Sequence, residues 1–250
     1  MSFQPKISII TIAFNAEKDI DKTIQSVINQ TYKNIEYVII DGASRDNTLN
    51  IINKYRDKIS KLVSEPDKGI YDAMNKGIKY SLGDYIWFMN AGDVIYENET
   101  LEKLISNSDG EDFIYGDTLV ISENGNTKPY HKKKPNDKTL NYTRFIDGMI
   151  ICHQSMIVKR DKAAQYDFTR FKISCDIEWC IKTTKNCSSF KDSGIYLSKF
   201  LDGGLSQTNK LKAVKERFWI CVKHFGWQRT ILQNIKIGFS FVLNTIYKLF

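Results

Sequence analysis

The sequence predicts an α/β fold in which a mostly parallel β-sheet is flanked by helices. Two observations predict it: short runs of β-branched and aromatic residues recur through the first ninety residues, and amphipathic helical patterns separate these runs. Strands that alternate with helices imply a parallel sheet that is covered on both faces. Ligands of such sheets bind outside the carboxyl ends of the strands, so the residues that follow each strand are the first candidates for a functional site.

Four runs in the first half are interpreted as buried strands. They are residues 7–13, 35–40, 61–64 and 85–89, of which the third is the weakest. Apolar residues at helical spacing lie between the strands and predict helices at residues 20–28, 49–55 and 70–78. Asp46, followed by Asn47 and Thr48, is expected to begin the second helix.

The second half has a different pattern. Residues 113–117 and 119–121, followed by the turn residues 124–126, predict strands with a hairpin. The remaining expectations are a solvated, mobile loop at residues 132–137, strand pieces at 149–151 and 155–158, and a short helix at 176–185.

The positive charge of the chain is concentrated at its C-terminal end. The 250 residues carry a formal charge of +7, and residues 208–250 alone hold eight Lys or Arg against the single acid Glu216. The remaining residues balance 28 bases with 28 acids. A nucleic-acid-binding core needs a basic stripe across its binding surface, so this distribution argues against nucleic acid as a partner.

The cysteine pattern favours free thiols in a cytosolic protein over disulfides. The five cysteines form no C-x-x-C pair and no Cys/His metal spacing, and the N-terminus has no apolar signal region. No run approaches the roughly 20 apolar residues that a spanning helix needs. The chain is therefore not expected to cross a bilayer.

Short, mostly polar segments follow the four predicted strands. They are Phe14-Asn15, Asp41-Gly42-Ala43-Ser44, Glu65-Pro66-Asp67-Lys68-Gly69 and Asn90-Ala91-Gly92-Asp93. The chain lacks a G-x-G-x-x-G after the first strand, a G-x-x-x-x-G-K-[ST] loop and a G-x-S-x-G elbow. These absences argue against dinucleotide oxidoreductases, P-loop NTPases and serine hydrolases.

The sequence resembles glycosyltransferase family 2, the inverting enzymes of GT-A type, over about residues 6 to 205. The resemblance rests on residues 7–15, 41–48, 64–77 and 83–93, in this order and at this spacing. In particular, these segments look like the branch that builds bacterial exopolysaccharide, capsule or lipopolysaccharide, similar to colanic-acid-type transferases.

The resemblance implies a GT-A type, Rossmann-like sheet within one catalytic domain. Residues 1–95 would form its nucleotide-sugar-binding half and residues 96–207 its acceptor-side half, with residues 208–250 as a basic helical tail. UDP is the expected donor nucleotide because related enzymes use it.

The donor site implied by the resemblance lies at the ends of the strands. Asp41 would accept a hydrogen bond from the nucleotide base, and Ala13 and Phe14 would line the same pocket, because a base needs an acceptor and a flat apolar face. The alternative for Asp41 is a turn aspartate that caps the next helix. The other expected donor contacts are Asn15, Asn90, Ala91 and Gly92, with Asp67, Lys68, Asp72 and Asn75 on the diphosphate side or, alternatively, as solvated helix-start residues.

Asp93 is the expected ligand of a divalent cation, Mn²⁺ or Mg²⁺. A nucleoside diphosphate accumulates negative charge as the sugar bond breaks, and a cation with oxygen ligands neutralises it. The family's Asp-x-Asp appears here as Asn90-Ala91-Gly92-Asp93, so one carboxylate must hold the ion together with diphosphate oxygens and water. The alternative is a structural turn aspartate.

Asp176 is the expected general base, since inversion requires a carboxylate to take the proton of the acceptor hydroxyl. The family shows an acidic pair here, and Cys175 replaces its first member. The alternative is an ordinary helix-start aspartate. His153 and Gln154 match a His-Gln pair of the related branch and could contact the acceptor, the donor sugar or the metal, whereas a structural histidine is the alternative.

The C-terminal tail combines apolar and aromatic residues at helical spacing with basic residues. This arrangement favours a helix lying in an anionic membrane surface, and related enzymes use polyprenyl-linked acceptors. We therefore expect a cytoplasmic protein attached to the inner face of the membrane, acting on a lipid-linked glycan. The alternatives are a helical cap on the catalytic domain and a contact within a homo-oligomer.

Two other functions remain open at this point. One is a sugar nucleotidyltransferase, which would normally show a Gly-rich loop with Arg and Lys after the first strand, and this chain has none there. The other is a non-catalytic scaffold of the same fold. The Gln-x-x-Arg-Trp element of processive synthases is absent, which favours transfer of a single sugar over polymerisation.

Overall fold

The computed structural model describes residues 3–122, 124–130, 134–201 and 209–236. Within these ranges, nine strands form one sheet. The strands are β1 (Ile7–Ala13), β2 (Ile35–Asp41), β3 (Lys61–Ser64), β4 (Tyr85–Phe88), β5 (Val94–Ile95), β6 (Phe113–Ile121), β7 (Thr127–Pro129), β8 (Met156–Lys159) and β9 (Phe190–Leu201). The helices are α1 (Ile20–Ile28), α2 (Thr48–Asn53), α3 (Ile70–Tyr80), α4 (Thr100–Ser106), α5 (Cys175–Asn186) and α6 (Lys210–Phe225).

The strand order is β3-β2-β1-β4-β8-β6-β9-β5, with β7 paired to β6. Strands β3, β2, β1 and β4 are parallel neighbours, as the alternation of strands and helices predicts. Strand β8 is antiparallel to both β4 and β6, so it joins the two halves of the sequence into one sheet. The first three helices and four strands of the prediction are confirmed.

Side chains of the central strands supply a core on each face of the sheet. Ile10 and Phe88 belong to the core beneath α3, whereas Ile9 and Trp87 belong to the core beneath α1. Successive strand residues point to opposite faces, so strands buried on both sides must be apolar throughout. Helix α3 approaches closely because it has a glycine at the contact: a Cβ on Gly77 would lie 2.4 Å from Ile10 Cγ2.

The second half departs from the prediction at several points. Residues 113–121 form one continuous strand, and its antiparallel pairing with β7 confirms the hairpin. Residues 149–151 are not a strand, and 3₁₀ helices occupy Tyr142–Asp147 and His153–Ser155. Met149 and Ile150 pack against the core, which accounts for their apolar character.

The loop at residues 132–137, which was expected to be solvated and mobile, is partly held by ion pairs. Lys134 is 16% exposed and forms ion pairs with Asp117 and Asp192, at 3.0 and 2.6 Å. Lys134 is therefore tied to β6 and β9, and Lys132 and Lys133 lie outside the described residues.

The C-terminal segment begins with α6, which packs on α5 and buries Ile220 and Cys221. Gly226, with a φ of 81°, ends this helix, and residues 227–236 are helical again. The apolar residues Phe239, Val242, Leu243 and Ile246 of the expected tail lie outside the described residues. None of the described helices has the length and apolar character that crossing a membrane requires.

Candidate active site

The carboxyl ends of β1, β2 and β4 meet at one edge of the sheet. Ala13 of β1 is in register with Asp41, and the Ala91 N–H donates to the Ile12 carbonyl at 3.0 Å. The base-reading and metal-binding aspartates predicted from the sequence therefore flank the end of the same strand. This placement is what the topology of a parallel sheet requires.

The loops at this edge are tightly interlocked. The Ser44 hydroxyl accepts from the Asn15 N–H at 2.9 Å, and the Asn15 side chain accepts from the Arg45 N–H at 2.9 Å. Asn15 and Ala43 have left-handed backbones, with φ of 48° and 60°. Such conformations cost of order 1 kcal/mol or more outside glycine and cluster at functional sites.

Asp41 is completely buried at the end of β2. Its Oδ1 accepts from the Ser44 hydroxyl at 2.5 Å, and its Oδ2 accepts from the Ser44 N–H at 3.1 Å and the Ser64 hydroxyl at 2.6 Å. Phe14 is 61% exposed and presents the apolar face that a nucleotide base would need. Both carboxylate oxygens of Asp41 are thus occupied by Ser44 and Ser64.

The segment after β3 brings Asp67 against the same edge. A Cβ on Gly42 would lie 2.5 Å from Asp67 Oδ2 and 3.2 Å from Phe14, so only glycine allows these loops to approach. The Asp67 carboxylate accepts from the Gly69 N–H at 2.8 Å, and Asp72 accepts from the Lys68 N–H at 3.0 Å. Lys68 is exposed, which leaves its ammonium free to meet an anion.

Asn75 has a different environment from the one expected. Its side-chain amide donates to the Tyr166 carbonyl at 2.9 Å and accepts from the Tyr166 N–H at 2.8 Å. The amide therefore holds the 166 segment against α3, and its contact with a diphosphate stays a prediction. Lys76, which the sequence reasoning missed, pairs with Glu65 at 2.9 Å.

The Asn90–Asp93 loop is supported from α1. The hydroxyl of Thr23 donates to the Asp93 carbonyl at 2.8 Å and accepts from the Gly92 N–H at 2.9 Å. Gly92 has a φ of 104°, and the Asp93 N–H returns to the Asn90 carbonyl at 2.9 Å. Sequence reasoning missed Thr23 because a threonine in an amphipathic helix gives no signal of its own.

The Asp93 side chain is buried, with 6% exposure, and burial raises its pKa to about 7. Its Oδ2 accepts from Gln154 Nε2 at 2.9 Å. Nearby in the same loop, Asn90 Oδ1 is buried without a hydrogen-bond partner among the described residues. A buried carboxylate and an unpartnered amide oxygen fit a hard divalent cation, which prefers oxygen ligands.

Asp93 and Asn90 supply few protein ligands for a divalent cation. No group of three His, Cys, Asp or Glu within the described part of the chain could hold a metal ion by itself. Asp93 and Asn90 would therefore share a cation with ligands from the donor, as expected when one carboxylate of the family motif is replaced.

His153 and Gln154 face different surroundings. Gln154 contacts Asp93, and its Oε1 accepts from the Cys152 thiol at 3.0 Å. The His153 ring packs 5.1 Å from both Phe88 and Trp179, and burial lowers its pKa to about 4. His153 therefore has the environment of a structural histidine, whereas Gln154 orients the expected metal ligand.

Asp176 lies in the first turn of α5 and is half-buried. Burial raises its pKa to about 6, and the charge of Glu216 acts in the same direction. Burial also raises the pKa of the Cys152 thiol to about 12, and the charges of Asp93 and Asp176 both add to that shift. The charges of Asp93 and Asp176 therefore both act on the same buried thiol.

Sequence and structure comparisons identify the family of the chain. The model of the family described as glycosyl transferase family 2 matches residues 8–167. The chain belongs to glycosyl transferase family 2. The predicted resemblance and the predicted glycosyltransferase activity are therefore both confirmed.

The chain is similar to individual glycosyltransferases in sequence and in structure. A PGL/p-HBAD biosynthesis glycosyltransferase of Mycobacterium bovis is 27% identical over 191 residues, which cover 73% of this chain and 71% of that protein. Staphylococcus aureus TarS 1-349 in complex with UDP-GlcNAc superposes with a TM-score of 0.63 at 19% identity, covering 87% of this chain and 66% of that one.

A second solved structure is that of the mannosyltransferase PcManGT from Pyrobaculum calidifontis with GDP-Man and Mn²⁺. Its TM-score is 0.61 at 13% identity, over 88% of this chain and 65% of that one. At such identities the structures establish the fold, and the predicted GT-A type α/β class is confirmed. The chain spans about two thirds of the length of the two solved structures.

Proposed function

We propose that this glycosyltransferase transfers one sugar, with inversion, from a UDP-sugar to a lipid-linked glycan at the inner face of the membrane. The observation that carries the proposal is the Asn90–Asp93 loop at the edge of a GT-A sheet, where the buried Asp93 carboxylate accepts from Gln154 and Asn90 Oδ1 has no partner among the described residues. Burial raises the pKa of Asp93 to about 7 and that of the half-buried Asp176 to about 6. Such shifts cluster at functional sites.

The donor would bind along the ends of β1 to β3. Phe14 and Ala13 would contact the base, and Asn15 would line the ribose side. Asp41 would accept a hydrogen bond from the imide N–H of the base once the Ser44 side chain moves away. Lys68 would meet the diphosphate together with the turn around Asp67 and Asp72. That TarS was solved with UDP-GlcNAc supports UDP as the nucleotide.

A divalent cation bound with the donor would neutralise the charge that develops on the diphosphate. Asp93 would hold it through a carboxylate oxygen and Asn90 through the unpartnered Oδ1, with the backbone of Ala91 and Gly92 shaping the loop. Gln154 would fix the Asp93 carboxylate through its bond to Oδ2.

Asp176 would act as the general base of the chemical step. The acceptor hydroxyl gives its proton to the Asp176 carboxylate, its oxygen bonds to the anomeric carbon, and the bond from that carbon to the diphosphate oxygen breaks. A pKa of about 6 keeps Asp176 ionised at neutral pH and basic enough to accept a proton. His153 would contribute by packing beneath the acceptor side.

The acceptor is proposed from the surface of the C-terminal segment. Leu211 is 90% exposed, and Val214, Leu232 and Ile235 are each more than 60% exposed. These residues stand among the bases of the tail, a combination that suits an anionic lipid surface. Synthesis of capsule or lipopolysaccharide is the process in which such an acceptor would be used.

The activity is tested by nucleotide release. The protein is incubated with Mn²⁺ or Mg²⁺ and a panel of UDP- and GDP-sugars, with and without a lipid-linked glycan, and nucleoside diphosphate is measured. We expect metal-dependent release from one donor, and a loss of at least about 100-fold in Asp93→Ala, because a cation contributes several kcal/mol.

The control variant is Asp57→Ala, which removes an exposed aspartate of the 3₁₀ helix Arg56–Lys58, outside the predicted set of site residues. It should keep full activity. Absence of metal-dependent release from every donor would refute the proposal, and pyrophosphate released from a nucleoside triphosphate and a sugar phosphate would establish a nucleotidyltransferase instead.

A further inference from the structure

One carboxylate from α6 holds the turn that precedes Asp176. Glu216 is 7% exposed and accepts hydrogen bonds from the backbone N–H groups of Ile173 at 2.8 Å, Ser174 at 3.0 Å and Lys172 at 3.1 Å. The Ser174 hydroxyl also donates to the Ala213 carbonyl of α6 at 3.2 Å. Three consecutive backbone donors are thus satisfied by a residue that lies 40 or more positions later in the chain.

The opposite face of this turn is held by α3. The Tyr71 hydroxyl, which is buried, donates to the Ile173 carbonyl at 2.7 Å. The backbone of residue 173 is therefore fixed at its N–H by Glu216 and at its carbonyl by Tyr71. Ser174 is the N-cap of α5, so the turn sets where the first helical turn, with Asp176, begins.

A second buried carboxylate also joins the two helices, but it belongs to α5 and accepts hydrogen bonds from residues of α6. Glu178 of α5 is 1% exposed and accepts from Lys223 Nζ at 2.7 Å and His224 Nε2 at 3.2 Å. Burial opposes ionisation of Glu178, but these hydrogen bonds outweigh it and lower its pKa. Both buried carboxylates therefore help to hold α6 against α5, and of the two only Glu216 contacts the turn.

We propose that Glu216 is a positioning residue for the base Asp176, so that α6 is part of the catalytic apparatus as well as a surface helix. The proposal rests on the proposed role of Asp176. A buried carboxylate that accepts three N–H groups fixes a backbone more firmly than a neutral group could, because charge-assisted hydrogen bonds are about twice as strong. A displacement of about 1 Å in a catalytic group can reduce the rate 100-fold.

Several titratable groups surround Asp176. Glu216 faces it from α6, Tyr71 from α3, and Cys175 and Cys180 from α5 itself. The remaining groups that interact with its charge are Tyr130, Cys152 and Tyr166. Among these, Glu216 is the group whose negative charge raises the pKa of Asp176, so its neutralisation should lower that pKa.

The test is Glu216→Gln, which preserves size but replaces one acceptor oxygen with an N–H₂ group. We expect kcat to fall about 10- to 100-fold while KM for the donor changes little, because the donor site lies at the ends of β1 to β4. The acidic limb of the kcat profile should move to lower pH. Glu178→Gln is the matched control, since it removes a buried carboxylate from the same helix pair without touching the turn.

The control should lower the thermal midpoint of unfolding and leave kcat within about twofold of wild type. A Glu216→Gln variant that behaves like the control, with unchanged kcat and pH profile, would overturn the positioning role. Asp176→Asn is measured in parallel: full activity there refutes the base assignment and hence the proposed function, which is a different outcome from a fully active Glu216→Gln.

A second measurement does not depend on turnover. Amide hydrogen exchange of residues 172–174 and the carboxyl ¹³C titration of Asp176 are followed by NMR in wild type and Glu216→Gln. We expect faster exchange and a lower Asp176 pKa in the variant. Equal exchange rates and equal pKa values would overturn the proposal even if the substrates were still unidentified.

Discussion

Two buried oxygens of the Asn90–Asp93 loop have opposite consequences for stability and for function. Asn90 Oδ1 has no hydrogen-bond partner among the described residues, and burial raises the pKa of Asp93 to about 7. Each of these features costs folding free energy, of order 1–3 kcal/mol for an unpaired polar group. A site that binds a cation recovers this free energy only when the cation is present.

Replacing Asn90 separates the two effects. Asn90→Leu removes the unpartnered oxygen, so we expect the free energy of unfolding without metal to stay within about 1 kcal/mol of wild type or to rise. Metal-dependent activity should fall at least about 10-fold. Urea denaturation and donor turnover measure the two quantities, and Asn90→Asp, which keeps an oxygen ligand, is the control. Wild-type activity in Asn90→Leu would contradict the assignment of Asn90 as a ligand.

Asp93 makes stability depend on pH. Its folded pKa of about 7 lies above the unfolded value of 3.8, so the native state binds the proton more tightly and stability falls as pH rises through this interval. Asp93→Asn should therefore be more stable than wild type at pH 8, by up to about 4 kcal/mol, and similar to it at pH 4. Urea denaturation at both values without metal measures this. A stability difference that is the same at both pH values would show that Asp93 titrates normally.

At the scale of secondary structure elements, the metal loop depends on a helix that carries none of the predicted site residues. Thr23 of α1 is fully buried and bonds to both Gly92 and Asp93 through one hydroxyl. The loop therefore keeps its shape because α1 packs against the sheet.

Thr23→Val tests this support. The substitution preserves shape but leaves the Gly92 N–H and the Asp93 carbonyl without their partner, so we expect a loss of about 1–3 kcal/mol in stability. The concentration of Mn²⁺ required for half-maximal activity should also rise. Thr23→Ser keeps the hydroxyl and should retain metal dependence. An unchanged metal requirement in Thr23→Val would mean that the loop is held by other contacts.

The elements differ in how well the sequence predicts them. Strands β1, β2 and β4 are short apolar runs because they are buried on both faces, and periodicity finds such runs. Strand β3 lies at the edge of the sheet with exposed ends, so its signal is weaker. Strand β9 mixes polar and apolar residues and is mostly half-buried, and its register with β6 shifts near Asp117, so it has no such signal. The candidate residues at strand ends were predictable from topology. Gln154 was predicted only from the family resemblance, and Glu216 was not predicted at all, because their contacts join distant parts of the chain.

At the scale of the whole molecule, the described part of the basic C-terminal segment has both buried and exposed apolar residues. Ile220, Cys221 and Glu216 are buried against the catalytic domain, which agrees with the helical-cap alternative for α6. Leu211, Trp227 and other apolar residues of the segment remain exposed. Deleting residues 208–250 would remove both sets of residues at once and disturb the turn before Asp176.

Membrane attachment is better tested with surface substitutions. Leu232→Ser combined with Ile235→Ser changes two side chains that are each 61% exposed and should leave the fold intact. We expect wild type to sediment with vesicles that contain anionic phospholipid and the double variant to bind at least about 10-fold more weakly, because each buried leucine or isoleucine side chain contributes 1.5–3 kcal/mol. Vesicles of neutral phospholipid are the control. Equal sedimentation of both proteins would argue against this surface.

The shared edge of β1, β2 and β4 is the feature on which the whole account depends. A crystal structure with UDP and Mn²⁺ tests it most directly. We expect the uracil to lie against Phe14 and near Asp41, with Mn²⁺ coordinated by Asp93, the Asn90 amide oxygen and the diphosphate. Nucleotide bound away from this edge, or Mn²⁺ bound without Asp93, would contradict it.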